Sequence, residues 1–254
     1  MPGVDERFRA SMRAGQASPL RQRVAWACRI LALEGYADLT LGHVSARIPG
    51  KDAILIKRKG VALDEVEPED VLEVKLGENP LETGPAGIHL ETVLHTEVYE
   101  RRADVGAVVH GHPPYATALA ATDSPLELLT HDSVLFADGI ARYDSPDLVV
   151  EPEQGAAVAG MLGSSRAILL TNHGVLVVGK DVPWAVLGAV ALERAARLQS
   201  IARSLGSPRP IPLELAQDLQ PRKYQDRFVE EYWEAWVRRV SRLQPGNSKR
   251  AVER

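Results

Sequence analysis

The stretch VVHGH, residues 108 to 112, places two of the chain's seven histidines at alternate positions of an apolar run. Side chains at i and i+2 of a β-strand leave from the same face, so His110 and His112 offer two imidazoles to one point in space. That is the geometry a metal ion asks for. A third imidazole, His173, stands in TNHG, after the apolar run AILL and before a glycine that lets the backbone pass close to a ligand. Three neutral imidazoles with one open position describe a catalytic zinc site. A carboxylate is also at hand. Glu91 and His95 lie one helical turn apart in HLETVLH, so a helix over this stretch would carry both on one face. Glu91 is then a fourth ligand or the acid/base beside the metal, and His95 a histidine that supports the ligands from behind. The plainer alternatives are a polar pair at a strand end for His110 and His112 and a solvated helix face for Glu91 and His95.

Elements must exist to bring these residues together. Pro19 follows Ser18 and opens an apolar helical pattern from Leu20 to about Gly35. HVSARI, DAILIK and VLEVKL read as short strands between Pro, Gly and Asp turns. IHLETVLHTEVYERR has helical periodicity, ADVGAVVHGH reads as a central strand, PPYATALAAT as a helix and LELLTH as a strand. EPEQGAAVAGML reads as a helix, and AILLTNHGVLVVG as two strands meeting near residues 172 to 174. A long Ala-rich helix from Pro183 to about Ser204 follows, then a Pro-rich connection and an aromatic amphipathic helix, KYQDRFVEEYWEAWVRRV. Helices flanking a mixed, largely antiparallel sheet make an α/β fold, a three-layer αβα sandwich.

Composition limits the function classes. At 254 residues and 45% hydrophobic content the chain can bury a large core, and one domain spanning 1–254 is expected, with frayed ends at about 1–17 and 244–254. A net charge of -4, with acids and bases interspersed, gives no field for nucleic acid. No apolar run approaches the roughly 20 residues of a membrane span, and MPGVDERFRASMRAG is too polar for a signal peptide, so a cytoplasmic protein is expected. The single cysteine, Cys28, lies in an apolar helical pattern and reads as a small buried hydrophobe.

The combination GHVSAR, Glu91 four residues before His95, AVVHGHPPYATALA and LLTNHGVLVVG resembles the class II aldolase/adducin family, in order and over roughly residues 18 to 204. The resemblance implies an αβα sandwich, commonly a homotetramer with sites between subunits. It also implies one divalent metal per subunit (zinc, manganese, cobalt or iron) on His110, His112 and His173, with Glu91 as a ligand or proton carrier.

Departures from the family's sugar-phosphate members narrow the expected reaction. Those members hold phosphate with SGN, a later TG and a Ser-Ser pair; here the places read LGH with His43, KG with Lys59 and Gly60 at the end of the basic run Lys57, Arg58 and Lys59, and HL with His89. Near the place where the aldolases present a tyrosine from a neighbouring chain, this sequence has HDS, with His131 and Asp132. GHVS is closer to the branch that decarboxylates hydroxylated aromatic or pyridine carboxylic acids. The expected site therefore has Glu91 and His89 as proton carriers, and His43, Ser45, Arg58, Lys59, Gly60 and His131 around the substrate. His43 is expected to act as a potential cation that holds a carboxylate with Arg58 or Lys59. A sugar-phosphate aldolase or epimerase and a non-catalytic adducin-like interaction protein are the alternatives. The intact ligand set argues against the second.

Overall fold

A computed structural model describes residues 18–243. The expected frayed ends, 1–17 and 244–254, lie outside the described residues. Helix α1 (Pro19–Leu31) begins where Ser18 accepts the Leu20 N–H, and it ends in a wide turn through Tyr36 with Gly35 at φ 101°. Strands β1 (His43–Arg47), β2 (Ala53–Lys57) and β3 (Val71–Lys75) follow, then a short α2 (Pro80–Thr83), α3 (Val93–Arg101), β4 (Ala107–Gly111) and α4 (Pro114–Ala120). Next come β5 (Ala141–Tyr143), α5 (Pro152–Leu162), β6 (Ala167–Leu170), β7 (Gly174–Gly179), α6 (Val182–Leu205), α7 (Leu213–Lys223) and α8 (Asp226–Leu243).

The strands form one seven-stranded sheet in the order β3-β2-β1-β4-β7-β6-β5, antiparallel except for the β5–β6 pair. Strand β4 is central, and every residue of it is buried. Alternation along the strands splits the core in two. Val44, Ala46, Val109, Val175 and Val177 pack with residues of α1, α4, α6 and α8, whereas Val108, Ile168, Leu176 and Val178 pack with α3 and α5. The mixed three-layer sandwich thus has its basis in the period-2 pattern of the strands. Cys28 lies in the first of these layers, where burial pushes its thiol up to about 12.

Three expectations require correction. LELLTH, residues 126 to 131, forms no strand; the fifth strand is Ala141–Tyr143, and residues 133–136 make a 3-10 turn onto which α7 packs. The Leu129 N–H turns back to Glu127 O and Leu128 O accepts the Ile211 N–H, so the backbone of this stretch is committed outside the sheet. The Pro-rich connection contains α7, whose Pro212 and Pro221 stand at its N-cap and within its last turn. Finally, the helix over residues 88 to 102 starts only at Val93. Leu90–Thr92 is a 3-10 turn with Glu91 at φ -89°, ψ 22°, so Glu91 and His95 do not share a helix face. No helix among the described residues is long and apolar enough to cross a membrane.

Candidate metal centre and active site

His110 is the fourth residue of β4, and His112 follows one residue beyond the strand's end, on the face that carries α3. The register sets His43 of β1 directly opposite His110. His173 sits in the tight β6–β7 turn, where its N–H donates to Leu170 O and Asn172 adopts φ 57°. The turn crowds the centre. A Cβ on Gly174 would stand 2.6 Å from Gly111 O and 2.6 Å from His112 Cδ2, so glycine is required for close approach and not for backbone freedom. Glu91 enters from its 3-10 turn, with Oε1 accepting the Val149 N–H at 3.3 Å.

One nitrogen or oxygen from each of Glu91, His110, His112 and His173 lies within 4.8 Å of the others. Glu91 Oε2 is 3.5 Å from His110 Nε2, and Oε1 is 3.4 Å from His173 Nε2. Those separations are long for a hydrogen bond and match the edge of a tetrahedron of ligand atoms each about 2.1 Å from a zinc-sized ion. The tautomers agree. His110 Nδ1 donates to Val175 O at 3.0 Å, and His112 Nδ1 donates to Asp38 Oδ2 at 2.9 Å. Each ring therefore turns the lone pair of Nε2 inward, and these two buried atoms have no hydrogen-bond partner among the described residues. The donor set fits one divalent ion. Burial alone would raise the Glu91 carboxyl, but its close approach to His110 and His173 outweighs that and holds the group well below the usual carboxylate range. Burial in turn lowers His110, only partly offset by Glu91. An ionised carboxylate among neutral imidazoles is what a metal requires.

A second cluster adjoins the first. The His43 ring lies 4.9 Å from that of His110 and 4.4 Å from that of His89. His43 Nδ1 meets His95 Nε2 at 2.7 Å, His95 Nδ1 meets Ser45 Oγ at 2.6 Å, and Ser45 Oγ meets the Tyr99 hydroxyl at 2.9 Å. Lys57 donates to Thr40 O at 2.9 Å, and its Nζ stands 3.4 Å from His89 Nε2. His43 is not a cation: burial first, then the neighbouring imidazoles, push it well below the ordinary histidine value. His89 falls to about 4, through burial and then Lys57.

Of the expected substrate residues, the structure brings His43 and His89 to the centre; His95 stands behind His43, and Ser45 stands behind His95, away from the substrate contact expected of it. Arg58 is half exposed and pairs with Asp70 at 3.7 Å, and Lys59 and Gly60 are exposed. His131 is exposed, its carbonyl accepting from Tyr224, and its ring joins no part of either cluster in its own chain. Asp38 and Tyr99 were not singled out, and Lys57 entered only as part of the basic run with Arg58 and Lys59, which were expected to make the contact. Tyr99 follows His95 by one helical turn and so shares its face, a signal present in the sequence; Asp38 carried none.

The Class II Aldolase and Adducin N-terminal domain family model matches residues 22–200. The chain belongs to the class II aldolase and adducin family. The metal-centred cluster thereby reads, at its coarsest, as the site of a metal-dependent lyase. A 3,4-dihydroxyphthalate decarboxylase of Arthrobacter keyseri is 33% identical over 205 residues, covering 73% of this chain and 79% of that one. An L-fuculose phosphate aldolase of Methanococcus maripaludis is 31% identical over 182 residues, covering 70% and 94%. The crystal structure of an aldolase II superfamily protein from Pseudomonas syringae superimposes with TM-score 0.78 at 27% identity, covering 91% and 96%.

Proposed function

We propose that this class II aldolase-family protein decarboxylates a hydroxylated aromatic or pyridine carboxylic acid. The observation that carries the reading is Lys57: a fully buried ammonium beside His89 and the His/Glu cluster, with no carboxylate within ion-pair distance among the described residues and Asp70 acting on it only from farther away. A buried charge without a counter-ion is costly, and a substrate anion would supply the missing partner. One cation with neutral imidazoles matches the single charge of a carboxylate.

A divalent ion on His110, His112 and His173 would supply a Lewis acid that takes up negative charge on a substrate oxygen as the carbon–carbon bond breaks. Glu91, ionised at rest, accepts the substrate's hydroxyl proton and returns it to the ring carbon that CO2 leaves; the product then leaves as the phenolate, and one proton from water restores the phenol. His89 is the alternative carrier for that proton. His43, with Lys57 in place of the expected Arg58 or Lys59, holds a carboxylate that is retained. The assembly is a homotetramer, in which His131 serves the site of a neighbouring subunit, and light scattering reads its mass directly.

The test is CO2 release from a panel of ortho-hydroxylated aromatic mono- and dicarboxylates, beside sugar-phosphate cleavage, each with and without chelator. Chelator-sensitive CO2 release supports the reading. Aldehyde formation from a sugar phosphate overturns it and assigns Lys57 and His43 to phosphate.

A further inference from the structure

The chain of contacts from Tyr99 to His43 has a direction that the hydrogen-bond inventory decides. All four side chains are buried, from 0 to 2% exposed. Two come from alternate residues of β1, His43 and Ser45, and two from one face of α3, His95 and Tyr99, so strand and helix periodicities present matching pairs across the layer interface. A buried phenol hydrogen must be donated, since a desolvated donor without an acceptor loses its bond to water and gains nothing in return. Ser45 Oγ is the one acceptor within reach of it among the described residues. Tyr99 therefore donates to Ser45, and the single Ser45 hydrogen is left for His95 Nδ1. With Nδ1 accepting, neutral His95 carries its proton on Nε2 and donates it to His43 Nδ1. His43 then holds its own proton on Nε2, the ring nitrogen without a protein partner among the described residues, in a ring packed against His89 and His110.

We propose that Tyr99, acting through Ser45 and His95, fixes His43 as the Nε2–H tautomer, so that His43 meets the substrate as a neutral hydrogen-bond donor. The substrate role rests on the aromatic-acid reading above; the tautomer itself does not. Tyr99, Ser45 and His95 are positioning residues and His43 is the group that touches the ligand, binding a carboxylate or charged oxygen without adding a second positive charge beside Lys57. The string is not a proton wire. If His43 gave up its Nε2 proton and the chain refilled it, the deficit would end on Tyr99 as a buried tyrosinate, and burial pushes that phenol well above its ordinary value.

Nitrogen-15 spectra of the full-length, histidine-labelled protein test this, with the His43 signals assigned by their loss in His43→Gln. Nε2 is expected protonated and Nδ1 unprotonated. Tyr99→Phe keeps the ring and removes only the hydroxyl, and it should populate the opposite His43 tautomer; Ser45→Ala cuts the string elsewhere and should do the same. A proton on Nδ1 in the parent protein, or a tautomer unmoved in both variants, overturns the proposal. Salicylate serves as a carboxylate probe: it should move the Nε2–H resonance, and Tyr99→Phe should weaken its binding about 10-fold. Failure of decarboxylation with the Nε2–H tautomer intact would count against the reaction assignment alone.

Discussion

At the scale of single residues, the centre depends on which nitrogen each histidine turns inward, and the groups behind the rings decide that. His110→Ala, His112→Ala or His173→Ala removes a ligand, and both bound metal, read by elemental analysis, and most turnover should be lost. Near-normal activity with metal retained would remove that residue from the ligand set. The Asp38 carboxylate meets the far side of His112, at 2.9 Å, away from the nitrogen that faces the centre. Asp38→Asn should leave the fold intact and weaken metal affinity by about 10- to 100-fold in a chelator competition, because the carboxylate fixes the ring's tautomer and raises its basicity. Glu91→Gln preserves shape but can neither carry a proton nor neutralise the ion, so turnover should fall by about 100- to 10,000-fold with little change in melting temperature. Unchanged turnover would reduce Glu91 to a structural part.

At the scale of elements, the site is an intersection. β4 aims His110 and His112, the β6–β7 turn adds His173, and a 3-10 turn ahead of α3 separates Glu91 from His95. That separation lets two residues four apart serve different clusters, which a continuous helix would prevent. The turn is the vulnerable part. Gly174→Ala forces a methyl against Gly111 O and His112, both at 2.6 Å, and backbone cannot yield as a flexible side-chain tip does. A loss of about 1–3 kcal/mol in denaturant unfolding is expected, together with weaker metal binding. Stability lost without any change in metal affinity would show that His112 is placed independently of the turn.

At the scale of the whole molecule, Lys57 couples the site to global stability. Burial lowers its ammonium from 10.5 to about 8. Between those two values the unfolded chain still holds the proton that the folded chain has released, so the unfolded state binds more protons and stability rises with pH. Below pH 8 both states are protonated and the cost of the buried charge is fully present. The span corresponds to at most about 3 kcal/mol. Denaturant midpoints from pH 7 to 10 should rise in the parent protein relative to Lys57→Met, in which that increment disappears. Parallel curves would mean that Lys57 does not carry its charge into the core.

The sequence by itself determined what depends on local periodicity and chemical type. The alternation HxH put His110 and His112 on one strand face, the apolar run of β4 marked a central strand, and TNHG marked the turn that delivers His173, because the strand period of two is a property of the chain. Motif order along the chain also carried the family. Only the tertiary structure decided what depends on neighbours distant in sequence. It tied the backbone of Leu128 and Leu129 to partners outside the sheet, started α3 only after Glu91, and chose Lys57 over Arg58 and Lys59 as the buried cation. It also made His43 neutral. Charge state, tautomer and partnership follow from burial and from hydrogen bonds across the fold, such as Asp38 to His112 and Tyr99 to Ser45, and no local pattern encodes them.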